Sequence, residues 1–395
     1  MNRKRIWSLL LAFMLVLAAC KPAVEAPPKE EKVVEEKVET EEKVEKEEEK
    51  PEEPKEEKEE EKEPEATEGE MRKFVDSLGR EVEIPAKLER VAPSGHLAQM
   101  IMYSINPDLL IGWGRLPNPD AAKFIPEKYL NLPEFGAFYG AKADLNVESL
   151  LAANPQVVID LGQIKGDKMA EELDALQEQV GVPVIFIEAE LDTMVDAYEK
   201  LGEVLHEEEK AAKLGEYVGE TLKMAKEKSA ELTDDQKVKV YYGEGDTGLQ
   251  TNPPQSIHAE VLNLVGAINV ADLPETSGAG MNEISMEQLL GWDPDVIVFG
   301  PNSAYETVSE DPLWTDLRAV SEDKIYEVPM GPYNWMGRPP AVNRILGVRW
   351  MGNLLYPEVF DYDMKEETKK FYSLFYNYEL TDEEVTDLLS KSTLK

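Results

Sequence analysis

Two stretches of this chain repeat one another about 140 residues apart, VESLLAANPQVVIDLG at 147–162 and MEQLLGWDPDVIVFGP at 286–301. Each reads as a short amphipathic helix opened near a Glu, a turn carrying Asn-Pro or Asp-Pro, and a β-branched run that stops at Gly. Such a run is a buried strand. Two copies so far apart cannot stack as a solenoid, so the pattern predicts two similar α/β lobes, each holding one helix-strand unit. A ligand site between the lobes follows from that arrangement.

The intervening sequence extends the pattern. KFVDSLGREVEIPA predicts a hairpin, and RVAPSGHLAQMIMYSI a strand, a loop at 93–96 and a helix. LLIGWG, QVVIDLG and PVIFIE then read as strands separated by helical segments, which is the rhythm of a parallel sheet whose strand ends line one edge. Residues 207–232 place Ala211, Leu214, Tyr217, Val218, Leu222 and Ala225 on one face, with acids early and lysines late. A helix of that length runs roughly 37 Å and makes a stiff hinge with small opening motions. The rhythm restarts at KVKVYYG, continues through NLVGAINVAD, the second repeat and DKIYEVP, and ends in a helix over 340–355 and a short one at DEEVTDLL. The expected fold is α/β: two Rossmann-like lobes joined by one long rigid α-helix, with the ligand cleft between them. The boundaries are 71–206 for the first lobe, 207–232 for the helix, 233–357 for the second lobe and 358–395 for a C-terminal helical extension.

The chain opens with a basic head at Arg3, Lys4 and Arg5, an apolar run over 9–17 and small residues before Cys20, the single cysteine. This reads as an export signal over 1–19 that is cleaved before a lipidated Cys20, giving an anchor on the extracytoplasmic face of the membrane. With no second thiol, no internal disulfide can form. Residues 20–70 then form a Glu/Lys/Pro tether too polar to bury a core. Residues 21–70 hold 23 Glu against 10 Lys; removing that −13 and the signal's +3 from the total of −38 leaves −28 on residues 71–395. A body this acidic argues against nucleic acid or anionic lipid as a partner, and an anionic ligand would need a local basic patch.

The lipoprotein start, the paired E-x-L-L/x-x-x-P-x-V-V/I segments, the long middle helix and the P-P-A-V-N-R-x-L-G helix together resemble the substrate-binding proteins of ABC importers for iron-siderophores, haem and cobalamin. The resemblance covers residues 74–357. It implies a metal chelate held between the lobes, most simply a ferric siderophore-type complex, and delivery to a permease served by a separate ATPase. A corrinoid, haem or nickel chelate is the alternative within the class; a ligand-presenting sensor or a surface enzyme is the alternative outside it. The resemblance also implies that Glu148 and Glu287, one per repeat, dock onto permease arginines, although acids in a helix's first turn also stabilise its dipole. A monomer with no intrinsic cofactor and no catalytic residue completes the expectation.

Loop residues at the strand ends are the ligand candidates: Ser94, His96, Trp113, Arg115, Tyr139, Lys142 and Gln163 in the first lobe, and Tyr242, Glu244, Asp246, Gln250 and His258 in the second. Tyr333, Trp335 and Arg338 join them from the late PYNWMGRPP loop. Aromatic rings offer rigid area to a planar or greasy chelate, and Arg offers charge-assisted hydrogen bonds to its oxygens. A bare metal would need His96 and His258 to meet with carboxylates across the lobes; lending one or two ligands to an ion already chelated, whether iron, cobalt or nickel, asks less. Gly243, Gly245 and Gly248 satisfy G-x-G-x-x-G, but Pro253-Pro254 follow where a nucleotide-binding helix would start, so a loop is expected there.

Overall fold

The computed structural model describes residues 69–138, 143–274 and 281–394. The signal, Cys20 and the tether up to residue 68 therefore lie outside the described residues, as do Tyr139 and Lys142. An antiparallel hairpin opens the fold, β1 (Met71–Val75) against β2 (Glu81–Pro85). The first lobe follows with β3 (Val91–Pro93), α1 (His96–Ile105), α2 (Glu127–Leu130), α3 (Val147–Ala152), β4 (Val157–Gly162), α4 (Met169–Val180), β5 (Val184–Glu188) and α5 (Met194–Leu205). Its three strands form a parallel sheet in the order β3-β4-β5.

The second lobe contains β6 (Lys239–Gly243), β7 (Gln250–Thr251), α7 (Glu260–Leu264), β8 (Ile268–Asn269), β9 (Asn282–Glu283), α8 (Met286–Trp292), β10 (Val296–Phe299), α9 (Arg318–Ser321), β11 (Ile325–Glu327) and α10 (Asn343–Leu355). Its parallel sheet runs β11-β10-β6-β8, with β7 and β9 as a small antiparallel ribbon beside it. Between the lobes lies the connecting helix, α6 (Glu208–Ala230), roughly 35 Å long at 1.5 Å per residue. The chain closes with α11 (Met364–Phe371), a π-helical turn at Tyr372–Tyr376 and α12 (Asp382–Leu389).

The two repeats occupy equivalent places, α3 leading into β4 and α8 into β10. In each, the residue before the proline takes a left-handed conformation, Asn154 at φ 54° and Asp293 at φ 44°. Asn and Asp enter that region more readily than other side-chain-bearing residues, so the Asn-Pro and Asp-Pro pairs end the helix and turn the chain into the strand.

Strand alternation sorts the core. Val157, Ile159 and Leu161 of β4 face a central cluster, whereas Val158 faces an outer one with Leu150, Leu173 and Phe186. In the second lobe Val240, Tyr242 and Val298 face the same central cluster, and Tyr241, Ile297 and Phe299 an outer one with Trp314. The connecting helix supplies Ala211, Leu214, Tyr217, Val218 and Ala225 to the central cluster, and α10, buried from Asn343 to Gly352, fills its middle. The C-terminal helices belong to this core too. Phe371 and Phe375 stack at 4.3 Å, Phe375 meets Tyr198 and Tyr217 edge-on, and Tyr372 meets Phe124.

LLIGWG does not form the expected strand; only isolated bridges at Leu110 and Trp113 remain. A Cβ at Gly112 would collide with the Phe135 ring, and one at Gly114 with the Gly95 backbone, so these glycines serve close approach and not a ladder. Gly347 in α10 lies against the Trp335 carbonyl in the same way. Helix propensity alone would favour Gly347→Ala by about 1 kcal/mol, but the clash reverses the sign. We expect a net loss of about 1–3 kcal/mol, measured by urea unfolding.

Candidate ligand cleft

Because β3, β4 and β5 are parallel, their C-terminal ends share one edge, where open α/β sheets hold ligands. β3 ends at Pro93 and passes through Ser94-Gly95 into α1; β4 ends at Gly162; β5 ends at Glu188 and leads to Ala189 and Glu190. These ends wall one side of a cavity of about 300 Å³, and Ile257, Pro340 and Arg344 of the second lobe wall the other. Larger grooves lie elsewhere, one of about 510 Å³ beside α12 and one of about 520 Å³ along the connecting helix. The smaller cavity is distinguished by its position at the strand ends and by the polar groups it gathers.

Asp160 is buried on the cavity wall and accepts a hydrogen bond from the Ser94 hydroxyl. Burial pushes its carboxyl above the ordinary aspartate range, while Ser94 and then Lys165 pull it back less strongly. Gln163 donates from Nε2 to Glu190 Oε1 at 3.0 Å. The N-cap of α1 is Gly95, so no side chain satisfies its first N–H groups, and no acid stands in its first turn. Arg344 is 1 % exposed. Its guanidinium bonds the Glu260 carboxylate and, at 3.1 Å, the Pro340 carbonyl, and its Nε has no partner. Burial pushes Glu260 up against the pull of Arg344, and Asp192 and Glu190 of the first lobe push the same way.

A second polar cluster lies at the end of β6. Glu244 accepts from Arg338 Nε at 2.6 Å and Nη2 at 3.2 Å, from the Tyr242 hydroxyl at 3.1 Å and from the Asn252 amide. His258, also buried, has Nδ1 2.7 Å from the Gly337 carbonyl. A carbonyl only accepts, so Nδ1 carries the proton and the unpartnered Nε2 presents its lone pair. Burial first, and Arg338 second, lower the His258 pKa and favour this neutral form.

The structure brings Ser94, His96 and Gln163 of the expected ligand residues onto the cavity wall. Others lie elsewhere. Trp113 is a core residue, its Nε1 donating to the Tyr129 carbonyl at 2.8 Å and its ring stacked on Tyr103. Tyr333 and Trp335 are buried in the central cluster, where Trp335 packs edge-on against Trp350. Arg115 pairs with Asp144 at 2.6 Å, Tyr242 and Arg338 are committed to Glu244, and Asp246 sits exposed on the turn after β6. Gln250 pairs in β7. That turn, held by Gly245 and Gly248 at φ 70° and 72°, leads into β7 and not into a helix. His96 and His258 share no metal site: among the described residues, no group of three or more His, Cys, Asp or Glu is placed to hold an ion.

Asp160 and Arg344 were not among the expected residues. The signal for Asp160 was a carboxylate inside the run VVID, since a charge on a buried strand is tolerated only where polar partners meet it. Arg344 gave no comparable clue, because it shares its helix with Arg349 and the pattern does not tell which of the two meets the first lobe. Glu148 and Glu287 are exposed in the first turns of α3 and α8, each one residue into its helix, behind N-caps Asn146 and Ser285.

Residues 117–330 match the family described as periplasmic binding protein. The chain belongs to that family. A solved ABC transporter solute binding protein from Sulfurospirillum deleyianum DSM 6946 is 31 % identical, covers 81 % of this chain and 99 % of its own, and superposes with a TM-score of 0.74. Two curated relatives come from Bacillus subtilis (strain 168). An uncharacterized ABC transporter substrate-binding lipoprotein, YvrC, is 23 % identical over 55 % of this chain and 67 % of its own length. The Fe(3+)-citrate-binding protein YfmC is 22 % identical over 48 % of this chain and 58 % of its own. As a periplasmic binding protein the chain is of the substrate-binding class that serves ABC importers, with the two-lobed α/β fold of that class. Among the described residues no helix is long and apolar enough to cross a membrane.

The cleft carries a pH signature. Because folding raises the Asp160 pKa, the unfolded chain loses this proton first, and stability falls as pH climbs from the ordinary aspartate value through the raised one. Asp160→Asn removes this fall. Urea unfolding across that interval should show a flatter pH profile for the variant, whereas an unchanged profile would mean that Asp160 ionises in the fold as it does in water.

Proposed function

We propose that this protein captures a metal chelate, a ferric complex first, between its lobes and delivers it to an ABC permease driven by a separate ATPase. The observation that carries this reading is a cavity walled by strand ends of the first lobe and by Ile257, Pro340 and Arg344 of the second. A guest seated there touches both lobes, so its presence is reported by their separation. The iron-citrate name of one relative supports iron as the first choice of metal.

The anchor in this reading is a lipidated Cys20, the tether spans 20–70, and the lobes divide near residues 206 and 233. The protein acts as a monomer, brings no cofactor of its own and makes no covalent bond to its guest. Exposed carboxylates at equivalent places on the two lobes, Glu148 and Glu287, suit a docking surface that senses how far apart the lobes stand.

Ferric citrate should quench the protein's tryptophan fluorescence saturably; quenching by cobalamin, haem or nickel-histidine instead would name the alternative guest, and no response to any would remove the reading. Glu148→Lys combined with Glu287→Lys should abolish uptake into cells while leaving chelate affinity unchanged. Loss of affinity in that double variant would show that the two carboxylates serve the fold or the cleft.

A further inference from the structure

Residues 377–392 are bonded to the second lobe and reach across to the first. β11 is the edge strand of the second sheet, and the end of the chain runs beside it. The Glu327 N–H donates to the Lys391 carbonyl at 3.0 Å, the Ser392 hydroxyl donates to the Glu327 carbonyl, and Trp350 Nε1 of α10 donates to the Ser392 carbonyl at 2.7 Å. Lys391 Nζ adds ion pairs to Glu327, at 3.2 Å, and to Glu306. An edge strand offers unpaired backbone groups, and the tail takes up some of those on β11.

From this base the arm meets the first lobe at Lys123 and Phe124. The Phe124 ring is met edge-on by Tyr372 of the π-helical turn and by Tyr378 of the arm, with centroids 5.3 and 5.5 Å away. Lys123 Nζ lies 3.5 Å from Glu384 Oε1 in the first turn of α12. Glu384 is held in place, accepting from the Thr381 N–H at 2.9 Å and the Tyr378 hydroxyl at 2.8 Å. A Cβ built on Gly331 of the second lobe would stand 2.7 Å from the Phe124 ring and 3.2 Å from Leu388 of α12, so both lobes and the arm meet at that point. Beside it a groove of about 510 Å³ separates the three parts, and it shares no lining residue with the ligand cavity.

We propose that the arm, residues 377–392, is a catch: carried by the second lobe, it grips the first at Lys123 and Phe124 and sets how far the lobes part. Its purpose rests on the capture reading above, since a guest between the lobes leaves only as they separate. Apolar burial in the shared core is non-directional and resists sliding weakly, whereas a ring held between two others and an ion pair fix one register. The exposed pair alone contributes little, so the aromatic contact supplies most of the hold.

The Lys123 side chain is 47 % exposed, so the fold accommodates Lys123→Glu, which sets a carboxylate against Glu384. Phe124→Leu keeps an apolar side chain and removes the ring contacts. Together they form the release variant, and its thermal midpoint shows whether it folds. Lys123→Glu alone carries the test if the pair does not. Lys223→Glu, exposed on the connecting helix, makes the same charge change elsewhere. Nitroxide labels on Glu172→Cys in α4 and Leu290→Cys in α8, both exposed positions, with Cys20→Ser, report the lobe separation by double electron–electron resonance. The sample is the full-length chain in detergent micelles with no guest present.

The parent should give one narrow distance distribution, and the release variant a broader one displaced to longer distances. Lys123→Glu alone should move it the same way by less, and Lys223→Glu should match the parent. Without the labels, the release variant should let go of ferric citrate about three- to tenfold faster in stopped flow. A folded release variant with the parent's distribution overturns the proposal, and so does an altered distribution with an unchanged release rate. Failure of ferric citrate to bind counts against the capture reading alone, because the distances are measured without a guest and still decide the catch.

Discussion

The seam between the two sheets exists because one apolar core runs through both lobes. Val157, Ile159 and Leu161 from the first sheet and Val240, Tyr242 and Val298 from the second face the same cluster, filled by the connecting helix, by α10 and by the C-terminal aromatic helices. Against that core, the ends of the first lobe's strands gather polar side chains at the seam. The cavity is consequently a small polar space bordering a large apolar contact, and its walls are set by packing and not by flexible loops. Lobes that share a core cannot swing far apart without exposing it, which restricts opening to small adjustments at the strand ends.

Within that frame the polar residues fall into two groups. Glu244, Arg338, Tyr242 and Asn252 satisfy one another, and His258 secures Gly337, so this cluster fixes the 331–344 segment that presents Arg344. Asp160, Ser94, Glu190 and Arg344 instead border the cavity, Asp160 paired with Ser94, Glu190 with Gln163 and Arg344 with Glu260. Groups that satisfy each other inside the core hold structure in place, whereas pairs that border a cavity can exchange partners when a guest enters.

Much of the architecture was legible in the chain because burial has a period. The β-branched runs with Asn-Pro and Asp-Pro turns marked equivalent helix-strand units, and the three- and four-residue spacing marked the connecting helix. LLIGWG misled because glycine that permits close approach cannot be told by pattern from glycine within a strand. The aromatic loop around Trp335 misled for a related reason, since an aromatic ring among Gly and Pro has the same sequence signature whether it meets a guest or the core. FYSLFYNY, residues 371–378 within the expected C-terminal extension, supplies Phe371, Tyr372, Phe375 and Tyr376 to the central cluster. Ser94, His96 and Gln163 were accessible to sequence reasoning through their place after strands. Arg344 was not, because its role depends on which helix face meets the first lobe, and that is a property of the tertiary contact.

The central claim is that a guest occupies the seam and touches both lobes. Anomalous X-ray scattering at the iron edge, from crystals grown with ferric citrate, tests it most directly. The account predicts an iron peak within the cavity bounded by Ser94 and Gly95 on one side and Ile257 and Arg344 on the other. Iron bound on the outer surface, or held by residues of one lobe alone, would contradict it.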